Sequence, residues 1–443
     1  MTEPSIDAHA TRRRLLAIRC IFPLQDKQPT FLPAHELVLG RSADSDVRLE
    51  GDKVSRRHVT IRREGTDYLI RDLDSRNGLF VDGTRVAKIE LELGSLIRIG
   101  EWLGHVVEID SEQAGVHEEF HEVVPGHWAG PILWPALLPI RQAALSKVPI
   151  LIEGQTGTGK EGVAKAIHTW SGRSGEFVAV NCAAIPENLA EGEFFGYRKG
   201  AFTGAEKAHD GYFRAAHKGT LFLDEVADLP AALQPKLLRA LEQGEVMPIG
   251  ESKPVPIDVR VVAAVQAPLA EAVKKERFRS DLYARLDGVS VRLPPLCERI
   301  DEIPFLVNRL MERHLDDRPK PRLETTLVEA LCRYPWPYNI RELDRVVQQV
   351  VALHADKHVL SRGDLPEKLR SELAAEDPTG TSTYKPSPET ILAALKKEGC
   401  NVRRAANRLG ISRQQMYRLL ESIPNFDMEE FRKSVEKQRQ GHE

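Results

Sequence analysis

Apolar and polar positions change rhythm twice along the chain. Between about residues 15 and 110, short apolar runs at 37–41, 58–63, 68–73, 79–86, 96–99 and 105–109 are separated by turn residues. Their spacing of roughly 8–12 residues is that of strands in a β-sandwich. Asn77-Gly78 and Asp82-Gly83 read as hairpin turns, because both pairs tolerate positive φ. Arg12-Arg13-Arg14 is followed by a short apolar stretch broken by Arg19 and Pro23, which predicts a first strand rather than a signal peptide. From 127 to 371, strands alternate with helices. The continuous apolar runs at 149–153, 220–223 and 259–265 suit a parallel sheet buried on both faces. Helical periods fall at 160–170 and 231–243, and a helical block spans 303–370. Residues 389–422 are helical again. Acidic, aperiodic residues 111–126 and the Pro/Ser/Thr/Gly-rich residues 372–388 read as linkers, and 423–443 as a charged tail. The fold class is therefore multidomain: an all-β sandwich, an α/β domain with a helical lid, and an all-α helix pair.

Composition narrows the picture. A chain of 443 residues is too long for one core, and 42% hydrophobic with 29% charged residues excludes a disordered protein. A net charge of -3 gives no whole-chain attraction to nucleic acid or membrane, so any such preference is local. The five cysteines are scattered without a C-x-x-C pair, which points to a reducing compartment and away from disulfides or zinc. No apolar run approaches the length of a membrane span, and the expected location is the cytoplasm.

Gly154-Gln155-Thr156-Gly157-Thr158-Gly159-Lys160 follows an apolar strand and opens a helix. Glycines there let backbone N–H groups close around phosphate oxygens, and Lys160 reaches the β/γ-phosphates. Glu161 stands where a Ser or Thr usually holds Mg²⁺. Farther on, Gly219-Thr220-Leu221-Phe222-Leu223-Asp224-Glu225 is an apolar strand ending in two carboxylates. Asp224 is expected to hold Mg²⁺, and Glu225 to polarise the attacking water. The expected cofactors are ATP and Mg²⁺.

With Gly200-Ala201-Phe202-Thr203-Gly204-Ala205 between these motifs, the chain resembles the sigma-54-dependent activators, a branch of the AAA+ ATPases. The resemblance implies that this loop touches sigma-54, and that Gly-Thr-Gly-Lys-Glu161 is the family's own phosphate loop. It further implies that Asn181 pairs with Glu225, that Arg279 and Arg285 act in trans on a neighbouring subunit's nucleotide, and that Arg341 is the lid arginine that senses nucleotide. Arginines acting in trans require a homo-oligomer, from a dimer up to the family's hexameric ring. The departures are Ala264-Val265-Gln266 in place of Ala-Thr-Asn, Tyr338 in place of Gly, Met247-Pro248 in place of basic residues, and a Pro- and Trp-rich segment at 127–148. They bear on hydrolysis rate and subunit coupling rather than on activity class.

Gly40-Arg41, Val54-Ser55-Arg56-Arg57-His58 and Ser75-Arg76-Asn77-Gly78 lie on turns of the sandwich, which resembles the forkhead-associated (FHA) domain. That domain binds phosphothreonine: Arg41, Ser55 and Arg56 would receive the dianion, and Arg76 and Asn77 the peptide backbone. His58 and Gly40 are expected to stabilise the sandwich. Thr11, Thr381 and Thr383 lie outside the pocket and leave open whether the phosphothreonine is on another protein or on a neighbouring copy. At the other end, Leu409-Gly410-Ile411 breaks two helical runs, and residues 391–421 carry seven Lys/Arg against two acids. This resembles a Fis-type helix-turn-helix. Arg413, Gln414, Gln415, Tyr417 and Arg418 would face the major groove, and Arg403 and Arg404 the phosphates.

The expectation is an activator on upstream promoter DNA that hydrolyses ATP to remodel the closed complex of sigma-54 RNA polymerase under phosphothreonine control. The alternatives are a phosphopeptide-dependent repressor or scaffold with weak ATPase, and an AAA+ remodeller of another partner.

Overall fold

The computed structural model describes residues 14–24, 29–32, 35–110, 119–203, 205–316, 318–354, 356–376, 388–398 and 400–409, and positions 416, 417, 419, 420, 423, 428 and 431. The chain divides into two compact units. One comprises Met1–Glu112, Pro321–Tyr334 and Asp356–Glu443, the other Gln113–Lys320 and Pro335–Ala355.

The first unit begins with a sandwich of β1 (Arg14–Phe22), β2 (Thr30–Phe31), β3 (Glu36–Gly40), β4 (Val47–Arg48), β5 (Val59–Glu64), β6 (Asp67–Asp72), β7 (Leu79–Val81), β8 (Thr84–Val86), β9 (Lys88–Leu91), β10 (Leu96–Ile99) and β11 (Trp102–Asp110). The sheets run β2-β1-β11-β10-β7-β8 and β4-β3-β5-β6-β9. Alternate residues of each strand face inward, and Leu39, Ile61, Ile70, Leu79, Ile97 and Val106 close the core between them. Residues 79–86, expected as one run, are two strands. Asp82 (φ 49°) and Gly83 (φ 80°) turn the chain between them, as a type I′ hairpin requires. Asn77-Gly78 is not a hairpin: only Gly78 has positive φ, and the segment crosses from β6 in one sheet to β7 in the other.

His58 pins the sandwich from inside. It is fully buried, its Nδ1 accepts the Ser55 N–H at 3.0 Å, and Nε2 lies 3.2 Å from the Gly78 carbonyl. An accepting Nδ1 leaves the proton on Nε2, so the ring is neutral and donates to Gly78. Burial lowers its pKa below the ordinary 6.5, against the weaker opposing pull of the Gly78 carbonyl and Asp72. The neutral form is the one the fold prefers, so this stability is present above the unfolded pKa and is lost as pH falls below it. Amide protection across β5 in the full chain, corrected for intrinsic exchange, should therefore decline from about pH 7 to about pH 5. Flat protection over that window would contradict the assignment.

The second unit opens with β12 (His121–Val124) and β13 (His127–Ala129), an antiparallel hairpin. Residues 121–126, expected as linker, thus belong to a packed element. The acidic composition masked two aromatic anchors: Phe120 stacks on Phe305 at 3.7 Å, and Trp128 meets the edge of the same ring at 5.2 Å. Then follow α1 (Leu133–Ala143), β14 (Ile150–Glu153), α2 (Lys160–Ser171), β15 (Phe177–Asn181), α3 (Glu187–Phe195), α4 (Gly211–Ala215), β16 (Thr220–Asp224), α5 (Gln234–Gln243), β17 (Glu245–Val246), β18 (Val255–Pro256), β19 (Arg260–Val265), α6 (Leu269–Lys274), α7 (Ser280–Leu286), β20 (Val289–Arg292) and α8 (Ile303–Leu315). After α9 (Thr325–Arg333), which belongs to the first unit, α10 (Asn339–Leu353) completes the second.

The central sheet is parallel in the order β15-β16-β19-β14-β20. Its strands are apolar throughout because helices cover both faces: β19 is buried at all six positions. Two buried charged groups fasten α1 at either end. Arg260 donates to the carbonyls of Ala143, Ala144 and Val148 at 3.1–3.2 Å, completing the acceptors that a helix C-terminus leaves unmet. Glu302, paired with Arg299 at 0% exposure, accepts the Ile132 and Leu133 N–H groups at 2.9 Å.

The remaining elements of the first unit are β21 (Arg322–Leu323), β22 (Val359–Leu360), α11 (Glu367–Glu376), α12 (Pro388–Lys397) and α13 (Val402–Leu409). The helix α11 runs past residue 372, where the linker was expected, because Glu372-Leu373-Ala374-Ala375-Glu376 are good helix formers. Among the described residues no helix is long and apolar enough to cross a membrane.

Candidate functional site

Three neighbouring parallel strands deliver the nucleotide motifs to one edge. The carboxyl ends of β14, β19 and β16 carry, respectively, the glycine-rich loop, Gln266 and the Asp224-Glu225 pair. That edge is where α/β sheets bind ligands. Gly157 (φ 79°) and Gly159 (φ 99°) give the loop its curvature, and α2 starts at Lys160. Lys160 is buried. Its Nζ donates to the Gly154 carbonyl at 2.8 Å and stands 3.4 Å from Glu225 Oε1. Thr158 Oγ1 closes the loop on the Gln155 carbonyl at 2.8 Å. Glu161, on the first turn of α2, pairs with Lys165 at 2.7 Å.

Burial, then the neighbouring Glu225 carboxylate, raises the pKa of Asp224 above the ordinary carboxylate range. Two adjacent carboxylates facing one ammonium are short of positive charge, which fits a divalent cation. Asp224 would hold Mg²⁺, whose contribution is to neutralise charge on the phosphates. Glu225 is held at φ 53°, a turn that brings its carboxylate back over the loop.

The partner of Glu225 differs from the expectation. Asn181 lies opposite Asp224 in the β15/β16 register, but its Oδ1 accepts the Ala183 N–H at 3.0 Å and caps the next turn. Gln266 instead donates from Nε2 to Glu225 Oε1 at 2.9 Å. The available signal was the amide itself, one methylene longer than the usual Asn and able to reach the acid at the end of the adjacent strand.

Arg279 forms a bidentate pair with Asp281, at 3.0 and 2.7 Å, and Arg285 donates to the Leu241 carbonyl at 3.1 Å. Both are exposed. Arg341 is exposed beside the loop: a Cβ on Gly157 would lie 3.1 Å from Arg341 Cβ. Ile340 N–H donates to the Gly157 carbonyl at 3.0 Å, and Asn339 Nδ2 to that of Thr156 at 2.9 Å. Tyr338 replaces Gly without strain at φ -112°; the positive φ falls on Trp336 and Asn339.

The loop between the motifs is a surface finger. Gly200 N–H donates to Ala205 O at 2.8 Å, closing its neck, and Phe202 is 47% exposed, edge-on to Tyr197 at 4.9 Å. Ala201 and Thr203 belong to the same described tip; Gly204 lies outside the described residues. Met247-Pro248 lead into Ile249, whose N–H reaches Gly196 O at 2.9 Å and so braces the finger's base.

On the sandwich, the expected reader residues converge. Ser55 Oγ accepts the Arg76 N–H at 3.1 Å, Asn77 Nδ2 donates to Lys53 O at 2.7 Å, and Arg41 faces Asp52 at 3.6 Å. Arg56 is exposed, and its carbonyl leaves only 2.2 Å for a Cβ on Gly40, which requires glycine there. In the helical pair, Ile391, Leu395, Val402, Ala405, Ala406 and Met416 form the core, and Asn401 caps α13 through the Arg404 N–H at 2.9 Å. The Arg404 side chain is exposed. Tyr417 donates to Glu92 rather than standing clear as a DNA contact. Arg413, Gln414, Gln415, Arg418 and the side chain of Arg403 lie outside the described residues, as do Gly410-Ile411, Thr11, Thr381 and Thr383.

The chain matches the FHA domain over residues 37–100, the Sigma-54 interaction domain over 134–292, the AAA+ ATPase lid domain over 297–382 and the Fis family of bacterial regulatory proteins over 389–421. It is 41% identical over 360 residues to the transcriptional regulatory protein ZraR of Klebsiella oxytoca, across 79% of this chain and 76% of that protein. It is 40% identical over 294 residues to the transcriptional regulatory protein GlrR of Escherichia coli, across 66% of each. Among solved structures, NtrX of Brucella abortus in complex with ADP aligns with a TM-score of 0.51 at 30% identity, over 65% of this chain and 67% of that one.

Proposed function

The chain belongs to the sigma-54-dependent transcriptional regulators, with an FHA domain ahead of its sigma-54 interaction domain and a Fis-type helix-turn-helix behind, and from that premise we propose that it hydrolyses ATP to remodel the closed complex of sigma-54 RNA polymerase. The observation that carries the reading is the meeting of Lys160, Asp224, Glu225 and Gln266 at one sheet edge, while the chain between the two nucleotide motifs supplies an exposed Phe202 finger. In this reading Lys160 and the loop N–H groups hold the phosphates, and Glu225 takes a proton from the attacking water. Arg341 reports the nucleotide to the lid. Arg279 and Arg285 serve the adjacent subunit's site, since a guanidinium fork suits the γ-phosphate charge and neither engages its own. A homo-oligomeric ring in the cytoplasm follows.

Residues 15–110 read phosphothreonine through Arg41, Ser55, Arg56, Arg76 and Asn77; residues 127–371 form the ATPase and its lid; residues 389–422 bind upstream promoter DNA. The test is open-complex formation by sigma-54 polymerase on a promoter bearing this protein's binding site. Promoter melting is expected with ATP and not with a non-hydrolysable analogue. Equal melting with both, or with neither, would overturn the reading.

A further inference from the structure

We propose that the face of the FHA domain formed by β7, β10 and the turn after β10 is a seat for the lid helix α9, and that through this seat phosphothreonine capture releases the nucleotide lid. The inference rests on the phosphopeptide and ATPase readings above.

Thr325, Glu329 and Arg333 recur every fourth residue and so form one stripe along α9. Each meets the sandwich. Thr325 Oγ1 donates to the Glu101 carbonyl at 3.0 Å, and Glu329 Oε2 accepts from Arg98 Nε at 2.7 Å. The Arg333 guanidinium lies on the β7–β8 hairpin so closely that a Cβ on Gly83 would come within 2.0 Å of it. The Arg98–Glu329 pair is withdrawn from water, with side chains 14% and 7% exposed, and the Arg98 guanidinium also sits 3.7 Å over the Phe80 ring. A desolvated pair of this kind tolerates neither partner alone, which makes the seat specific.

The seat shares a loop with the phosphothreonine reader. Glu101 Oε2 accepts the Lys53 N–H at 3.3 Å, and a Cβ on Gly51 would lie 2.2 Å from the same oxygen. Gly100, at φ +60°, packs against the Lys53 carbonyl. On the loop's other side are the contacts of Asn77 with Lys53, Arg76 with Ser55 and Arg41 with Asp52. A phosphothreonine dianion that takes Arg41 and Ser55, with a peptide backbone that takes Asn77, replaces the contacts that now fix the reader side of residues 51–55, the same loop whose Lys53 N–H is bonded to Glu101. The turn that receives Thr325 is thereby loosened. On the output side, the chain leaving α9 at Arg333 runs through Trp336 into Asn339-Ile340-Arg341, the segment bonded to the phosphate loop. A helix pinned at three points along one face cannot follow the lid between nucleotide states, so the seated state is the restrained one.

The test uses the full chain, Arg98→Glu, and the charge swap Arg98→Glu with Glu329→Arg. Amide exchange over 325–333 and ATP turnover are read with and without a randomised peptide pool fixed at phosphothreonine, its unphosphorylated counterpart serving as control. Arg98→Glu is expected to accelerate exchange and to raise basal turnover roughly fivefold. The swap restores both, and the phosphorylated pool reproduces the effect in the native chain. Exchange unchanged by Arg98→Glu overturns the seat. Faster exchange with unchanged turnover in a hydrolysing protein overturns the restraint. A chain that hydrolyses no ATP, yet shows the exchange pattern in full, sinks the ATPase reading while upholding the seat and its link to the reader.

Discussion

Glu225→Gln in the full-length protein should lower ATP turnover by roughly 10²–10⁴-fold while leaving nucleotide affinity nearly intact. The expectation follows from what the two side chains share and what they do not. Gln keeps the volume of Glu225 and still presents an oxygen to Lys160, now 3.4 Å away, and to Gln266 Nε2, at 2.9 Å. It loses the ability to take a proton from water. An interaction made only as water attacks should disappear from kcat and not from binding. Lys160→Ala is the informative contrast, because it removes a buried cation from the phosphate loop and should abolish binding as well as turnover. Equilibrium binding of a labelled ATP analogue alongside steady-state hydrolysis separates the two. Comparable loss of affinity in both variants would mean that Glu225 supports the loop rather than the chemistry.

How far the sequence reached depended on the range of the physics involved. The phosphate loop, the strand ending in Asp224-Glu225 and the Asp82-Gly83 hairpin are each specified within a few consecutive residues, where glycine torsions and strand–helix junctions are local matters. The features that escaped are held together across long separations. The hairpin at 121–129 hides in an acidic stretch, because only contact with Phe305 reveals Phe120 and Trp128 as anchors. Asn77-Gly78 has the composition of a hairpin turn, yet which sheet receives the next strand decides its role. Gln266 read only as a departure from the usual Asn until the adjacent strand brought Glu225 within reach. The stripe of Thr325, Glu329 and Arg333 looks like any solvated helix face; burial of Glu329 against Arg98 marks it as an interface. Polar residues used for docking carry no periodic hydrophobic signal.

Thr203→Ala should leave ATP turnover unchanged within about twofold and abolish ATP-driven promoter opening. The finger is fastened well away from its tip. Tyr197 bridges to His209 and Ile249, and Gly200 closes on Ala205, so a change at residue 203 reaches none of the groups around Lys160 and Glu225. Thr203 is exposed next to Phe202, whose only ring neighbour among the described residues is Tyr197. A tip with so little packing of its own has no structural reason to depend on the Thr203 hydroxyl and methyl, so their loss should register only where the tip meets another molecule. Phe202→Ser probes the same surface through apolar contact: removing a ring that a partner buries costs about 2–3 kcal/mol, roughly 30- to 150-fold in engagement with sigma-54. Both substitutions are read by potassium permanganate footprinting of the melted promoter beside phosphate release in the same reaction. Promoter opening preserved in both variants would assign the finger to some other partner; hydrolysis lost together with opening would return it to the interior mechanics of the ATPase.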